Sequence, residues 1–206
     1  MDFSPGHLDL LLSRLFHDLI SPVGAARNGL ELLKEFGADE VGADAMDLAA
    51  DSTEQATARL TFFRMAFGGA GSSAGHGFSE ADRIARGYLA SRRIEWTFSG
   101  TAGSPTPQTG TVKVLLGAVA VMADAMPRLG AISAAVREGA VILAAEGEGA
   151  VIEPTVLSAL SGQREASDER TVLAATVNAN VRRFGLKLAV DAASPPTISI
   201  IYSESS

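Results

Sequence analysis

Cysteine is missing from all 206 residues, and tryptophan (one), tyrosine (two) and histidine (three) are scarce. A chain without thiols has no disulfide framework, thiol nucleophile or cysteine-ligated metal, and a reducing cytoplasm is its natural compartment. Long hydrophobic stretches are missing too: no run of about 18 apolar residues occurs, as a membrane-spanning helix would need. Met1 to Leu12 lacks the basic segment and uninterrupted apolar stretch of a secretory signal, so a soluble, untargeted chain is expected. Basic charge is in deficit, 17 Lys and Arg against 24 Asp and Glu for a formal charge of -7. That balance argues against affinity won by neutralising nucleic-acid phosphates and favours protein partners. Neither a phosphate loop ending in lysine and a hydroxyl nor a Gly-x-Ser-x-Gly elbow occurs. His7 and His76 have no metal-ligand spacing with another histidine and are expected to be bystanders, and no metal or cofactor of the chain's own is expected.

What is present begins with helical periodicity. Leu8, Leu12, Leu15, Leu19, Val23, Ala26, Leu30 and Leu33 recur at steps of four and three, the seam of one long amphipathic helix that Gly37 can end. A second helix is expected from about Glu40 to Phe67, with Val41, Ala45, Leu48, Ala56, Leu60 and Phe63 on one face. Helices joined by so few residues lie antiparallel, and a lone hairpin leaves half of each seam facing water. Pairing of two copies into a four-helix bundle would cover it. The stretch Gly68–Gly77, rich in glycine and serine, reads as a flexible linker. Beyond it the pattern predicts helices over Phe78–Leu89, Thr111–Met126, Val156–Leu160 and Thr171–Phe184. Strands are expected over Arg93–Phe98, Ala131–Val136, Ala140–Ala145, Lys187–Asp191 and Thr197–Tyr202, with Trp96 half in the core. The expected class is α+β: a helical hairpin over residues 1–68, a linker over 69–77, then over 78–206 a mostly antiparallel sheet with helices on one face.

At 100° per residue the leucine seam centres near Leu15 and Leu19, and His17 falls roughly 160° from it, facing out. Ser13, Ser21, Gly24 and Asn28 share that outer strip, so the imidazole stands among small side chains that a partner can approach. Near neutral pH a large fraction of an exposed imidazole is unprotonated and can attack a phosphoryl group in line. The bland alternative is a solvated side chain, and exposure alone does not decide between the two. Pro22, five residues on, kinks the helix just beyond the histidine.

The string His17-Asp18-Leu19-Ile20-Ser21-Pro22 resembles the H-box of sensor histidine kinases, and HDLISPVGAARNGLELL, residues 17–33, is similar to the ChpT-type histidine phosphotransferases. That resemblance extends over the whole chain. It implies a dimeric helical-hairpin bundle with the phosphorylated histidine on its first helix, followed by an α/β-sandwich shaped like a kinase ATPase domain that has lost ATP binding. By position Asp18 matches the acidic neighbour that hydrogen-bonds or orients the imidazole, and Ser21 the polar residue that places a water in phosphatase reactions. The alternatives are a solvated charge for Asp18 and a hydroxyl bonded to its own helix backbone for Ser21. Arg14 and Arg27, flanking the strip, are candidates for steering acidic receiver pockets, with solvated helix arginines as the alternative.

A kinase-type nucleotide site needs an asparagine for magnesium, an aspartate for adenine and glycine-rich turns. In Val114–Gly130, similar to the N-box helix, Ala120 and Asp124 occupy the positions of paired asparagines. In Val141–Val151 the Asp-x-Gly-x-Gly spacing survives, yet Ala145 stands at the aspartate position, and Gly147-Glu148-Gly149 is also a common hairpin turn. Ser161–Arg170 has room for only a brief polar loop in place of a lid. ATP is therefore not expected to bind. The reading is a phosphorelay intermediate in which His17 takes the phosphoryl group from one receiver aspartate and passes it to another, with Mg²⁺ held by the partner receiver of a hybrid kinase or response regulator. Alternatives are an active kinase core using ATP and a dimeric module that binds receivers without transfer. The second segment is expected to add docking surface beside His17.

Overall fold

The computed structural model describes residues 5–37, 40–104, 106–126 and 129–202. The Ala38-Asp39 connection and the Pro127-Arg128 end of the N-box-like string lie outside these. Helix α1 spans Pro5–Phe36 and α2 spans Glu40–Ala66. They run antiparallel: Gly29 meets Ala45 and Ala49, while further back the Asp18 carbonyl meets Arg59. A Cβ on Gly29 would stand 2.7 Å from the Ala45 carbonyl oxygen, so glycine is what lets the two backbones approach here.

After a 3₁₀ turn at Ala70–Ser72 come α3 (Phe78–Ala90), β1 (Glu95–Ser99), α4 (Thr111–Asp124), β2 (Gly130–Arg137), β3 (Ala140–Gly147), α5 (Pro154–Leu160), α6 (Glu169–Arg183), β4 (Lys187–Asp191) and β5 (Thr197–Ile201). The five strands form one sheet in the order β1-β2-β3-β5-β4. Strand β1 pairs with β2 in parallel through the α4 crossover, and the other pairings are antiparallel. Alternation along the strands turns Ile132, Ala134, Val141, Leu143, Ala145, Ile198 and Ile200 inward under the helices. Helix α4 is buried from Thr111 to Ala123, as a helix apolar on all sides must be. The class is α+β, a helical hairpin followed by an α/β sandwich.

Element ends differ from the periodicity where local chemistry takes over. Strand β1 starts at Glu95 because Arg93 turns the chain with φ +59°. Helix α6 starts at Glu169, ahead of its first core residue, because the Asp168 side chain accepts from the Arg170 and Thr171 amides in a capping box. Trp96 is deeper than the half-buried position expected of it: it is 8% exposed, and its indole N–H donates to Asp82 at 2.8 Å.

The segment Gly68–Gly77 is anchored at several points, although Gly69, Ser73, Ala74 and Gly75 are exposed. Gly71 is buried against the Met65 carbonyl, and the Lys113 amine donates to the Gly68 carbonyl. His76, expected to be a bystander, bridges Glu80 (Nδ1, 2.7 Å) and the Ala70 carbonyl (Nε2, 3.0 Å). The end of α2 enters the same core as the sheet: Phe62, Phe63, Met65 and Ala66 are buried, and the Phe62 ring stacks on Tyr88 at 3.8 Å.

Candidate functional site

His17 stands in the middle of α1 with 76% of its side chain exposed. On the same strip Ser13, Ser21 and Asn28 are exposed and Gly24 is partly so. Ser13 also works as a strut, its hydroxyl donating to Glu169 of α6 at 2.7 Å. His7, one turn inside α1, lies 2.9 Å from the Thr176 hydroxyl of α6. The Thr176 hydroxyl proton goes to the Val172 carbonyl, so the His7 Nε2–H donates to Thr176. Helix α1 thus docks on α6 as well as on α2.

Arg27 keeps a solvent position, paired with Glu31 at 2.8 Å on the same helix. Arg14 does not. Three residues before His17, it is turned roughly 60° from the imidazole and toward the sheet-bearing half of the molecule. There it is 8% exposed, Nη2 donates to Asp124 Oδ1 at 2.9 Å, and Nη1 lies 2.9 Å from Oδ2 as an ion-pair contact, an oxygen that accepts no hydrogen bond among the described residues. The expectation of an outward steering charge at Arg14 is corrected accordingly.

Asp18 is not a solvated charge. One oxygen accepts from Arg14 Nε at 3.2 Å, and the other lies 3.7 Å from His17 Nδ1, close enough for ionic attraction but too long for a hydrogen bond. Its backbone carbonyl accepts from Arg59 at 2.6 Å. Behind Arg14, Asp124 also accepts from Arg92 at 2.9 Å, and Arg92 donates to the Tyr88 hydroxyl at 2.8 Å. Burial alone would lower the pKa of Arg14, yet the facing carboxylates of Asp124 and Asp18 raise it above its ordinary value. Arg92 is likewise raised, its burial outweighed by Tyr88 and Asp124, and burial raises Tyr88.

In front of these residues an open cleft separates α1 from the start of α6. His17, Asp18 and Arg14 form one wall, Arg92, Asp124 and Met126 the floor, and Glu153, Asp168, Glu169 and Arg170 the far side. Among the described residues no group of three or more acidic or histidine side chains is arranged to hold a metal ion. Among them, too, no helix is long and apolar enough to cross a membrane. Of this constellation sequence reasoning placed His17, Asp18 and Arg14 in one neighbourhood but missed Arg59, Arg92 and the pairing of Asp124. The one available signal was Pro22: a proline in a helix leaves the carbonyl four residues back, that of Asp18, without its helical donor.

The site thus sets an exposed helical imidazole beside an anchored carboxylate, with the sheet domain behind both. The chain belongs to the histidine phosphotransferase family: the model of the histidine phosphotransferase C-terminal domain matches residues 78–195. It is 45% identical over 125 residues to the protein phosphotransferase ChpT of Brucella abortus (strain 2308), an alignment covering 60% of this chain and 57% of that protein. The solved structure of a bacterial phosphotransferase superposes with a TM-score of 0.78 and 31% identity, covering 97% of this chain and 98% of the other.

Proposed function

We propose that this protein is a phosphorelay shuttle in which His17 accepts a phosphoryl group from a receiver aspartate and returns it to the aspartate of a second receiver. The observation that carries the reading is the exposed imidazole, open to a cleft, with the Asp18 carboxylate 3.7 Å from Nδ1. A carboxylate on that side favours the Nδ1–H tautomer and leaves the Nε2 lone pair outward. Catalytic hydrogen bonds that are long in a free protein tighten when substrate arrives. Nε2 attacks phosphorus as the phosphorus–oxygen bond to the receiver carboxylate breaks, and the electron pair leaves with that carboxylate. The ring keeps its Nδ1 proton and gains positive charge facing Asp18. Ser21, exposed about one turn further along α1, is the candidate for placing a hydrolytic water. Mg²⁺ belongs to the receiver, and the reaction proceeds in the cytoplasm.

The working form is a homodimer. Leu8, Leu12, Phe16, Ile20, Val23 and Leu30 lie along one side of α1 and are 38–72% exposed, a stripe that a second copy would cover in a four-helix bundle. ATP plays no part: Ala120 and Ala145, at the positions where a kinase would present ligands for magnesium and adenine, are both fully buried in the core. Ser13, Gly24, Asn28 and Arg27 offer the receiver a close approach to His17.

The test is to mix the purified chain with a receiver domain phosphorylated on aspartate, and to follow acid-labile, alkali-stable label. Label is expected on His17 and not on the His17→Gln variant. Equal labelling of that variant, or incorporation from ATP alone, would sink the proposal.

A further inference from the structure

Pro22 has no N–H, so the Asp18 carbonyl has no donor from its own helix. Arg59 of α2 occupies the vacant place, donating from Nη1 to that carbonyl at 2.6 Å. Its other two nitrogens hold Ser91, Nε to the hydroxyl and Nη2 to the carbonyl, each at 3.2 Å. The Asp18 side chain is gripped separately by Arg14, and Arg14 donates to Asp124 Oδ1, the oxygen that also accepts from Arg92. Ser91 and Arg92 are neighbours just past α3, and Asp124 ends α4. Backbone and side chain of the residue next to His17 are therefore fixed by two routes, and both end in the sheet-bearing half of the molecule.

We infer that Arg59 and Asp124 are positioning residues for phosphotransfer at His17, acting through Asp18. Neither touches a reacting atom. Arg59 sets where the Asp18 backbone lies, Asp124 sets where Arg14 can place the Asp18 carboxylate, and that carboxylate orients the imidazole. The inference rests on the reading of His17 as the phosphorylated residue. It gives the second half of the chain a task that needs no nucleotide, that of a rigid template behind the reactive helix.

The test uses the full chain and phosphoramidate, a small phosphodonor that reports on the reactivity of His17 without any receiver docking. Attack by Nε2 forms the nitrogen–phosphorus bond as ammonia leaves with a proton from the donor. Asp124→Asn, Arg59→Met and Asp18→Asn are each expected to slow this step about tenfold, the scale of a sub-ångström misplacement of an oriented group. The double variant Asp18→Asn/Asp124→Asn should be no slower than Asp18→Asn alone, because Asp124 acts only through Asp18. The ¹⁵N resonances of His17 should show the share of the Nδ1–H tautomer falling in every single variant. Should Asp124→Asn fail to fold, Arg59→Lys, which keeps the charge but cannot span Asp18 and Ser91 together, is expected to show the same slowing and tautomer change. Additive losses in the double variant, or an unchanged tautomer balance, overturn the inference while leaving His17 the phosphorylated residue. Incorporation into His17→Gln as fast as into the parent chain overturns the reading beneath it instead.

Discussion

At the scale of single residues, two arginines of α1 have different fates for a geometric reason. Arg27 faces water beside Glu31, where an exposed ion pair contributes little, so Arg27→Ala is expected to change unfolding free energy by no more than about 0.5 kcal/mol. Arg14 is the shared cation of Asp18 and Asp124, largely buried at the wall of the cleft. Arg14→Met leaves two carboxylates facing each other without it, and removing one partner of a buried pair costs about 3–5 kcal/mol. Because Arg92 still holds Asp124, the expected loss in urea unfolding is near the low end, about 3 kcal/mol. The identity of each arginine was plain in the sequence; which of them was buried depended on where α4 came to lie.

Among elements, the same separation of local from distant information recurs. Periods of 3.6 and 2 were enough to place the helices and strands within a few residues, because each element's buried face repeats along the chain. The anchoring of Gly68–Gly77 was not legible in this way, since glycine and serine carry no period and one of its anchors is Lys113, 45 residues beyond Gly68. Two histidines now mark junctions between elements, with opposite consequences for pH. At His76 the hydrogen bond to Glu80 raises the pKa above 6.5. Its stabilising contribution is complete below pH 6.5 and fades as pH climbs through the raised folded value. At His7 burial lowers the pKa, so its contribution is complete above 6.5 and is lost as pH falls through the lowered value. Thermal unfolding should therefore show His76→Gln costing more at pH 6 than at pH 8.5, and His7→Gln costing more at pH 7.5 than at pH 5. Pro22→Ala tests the third junction: a restored amide competes with Arg59 for the Asp18 carbonyl. Melting temperature is expected to rise, since proline inside a helix is unfavourable, while phosphorylation of His17 slows.

For the whole molecule, the question is whether the helical hairpin stands alone. Its α2 end places Phe62 and Phe63 in the common core, and Arg59 spans to Ser91. Cutting the chain after Gly77 strips both aromatic rings of their cover, each worth roughly 1.5–3 kcal/mol of burial. The fragment 1–77 is expected to be much less helical than the hairpin within the full chain, as circular dichroism would show, rather than persisting as the intact bundle that a flexible linker suggests. Dilution offers a separate check on the α1 stripe: in a dimer the melting temperature should fall as protein concentration falls, and Ile20→Glu should abolish that dependence. The sequence by itself determined the α+β class, the order of elements and the outward face of His17, because all of these follow from neighbours along the chain and from their period. Tertiary structure alone decided that Arg14 turns inward, that Arg59 serves the carbonyl Pro22 leaves open, and that Asp124 stands behind Asp18. Those contacts join residues 41 to 110 positions apart, and no local pattern encodes which distant donor a folded chain brings to an unpaired acceptor.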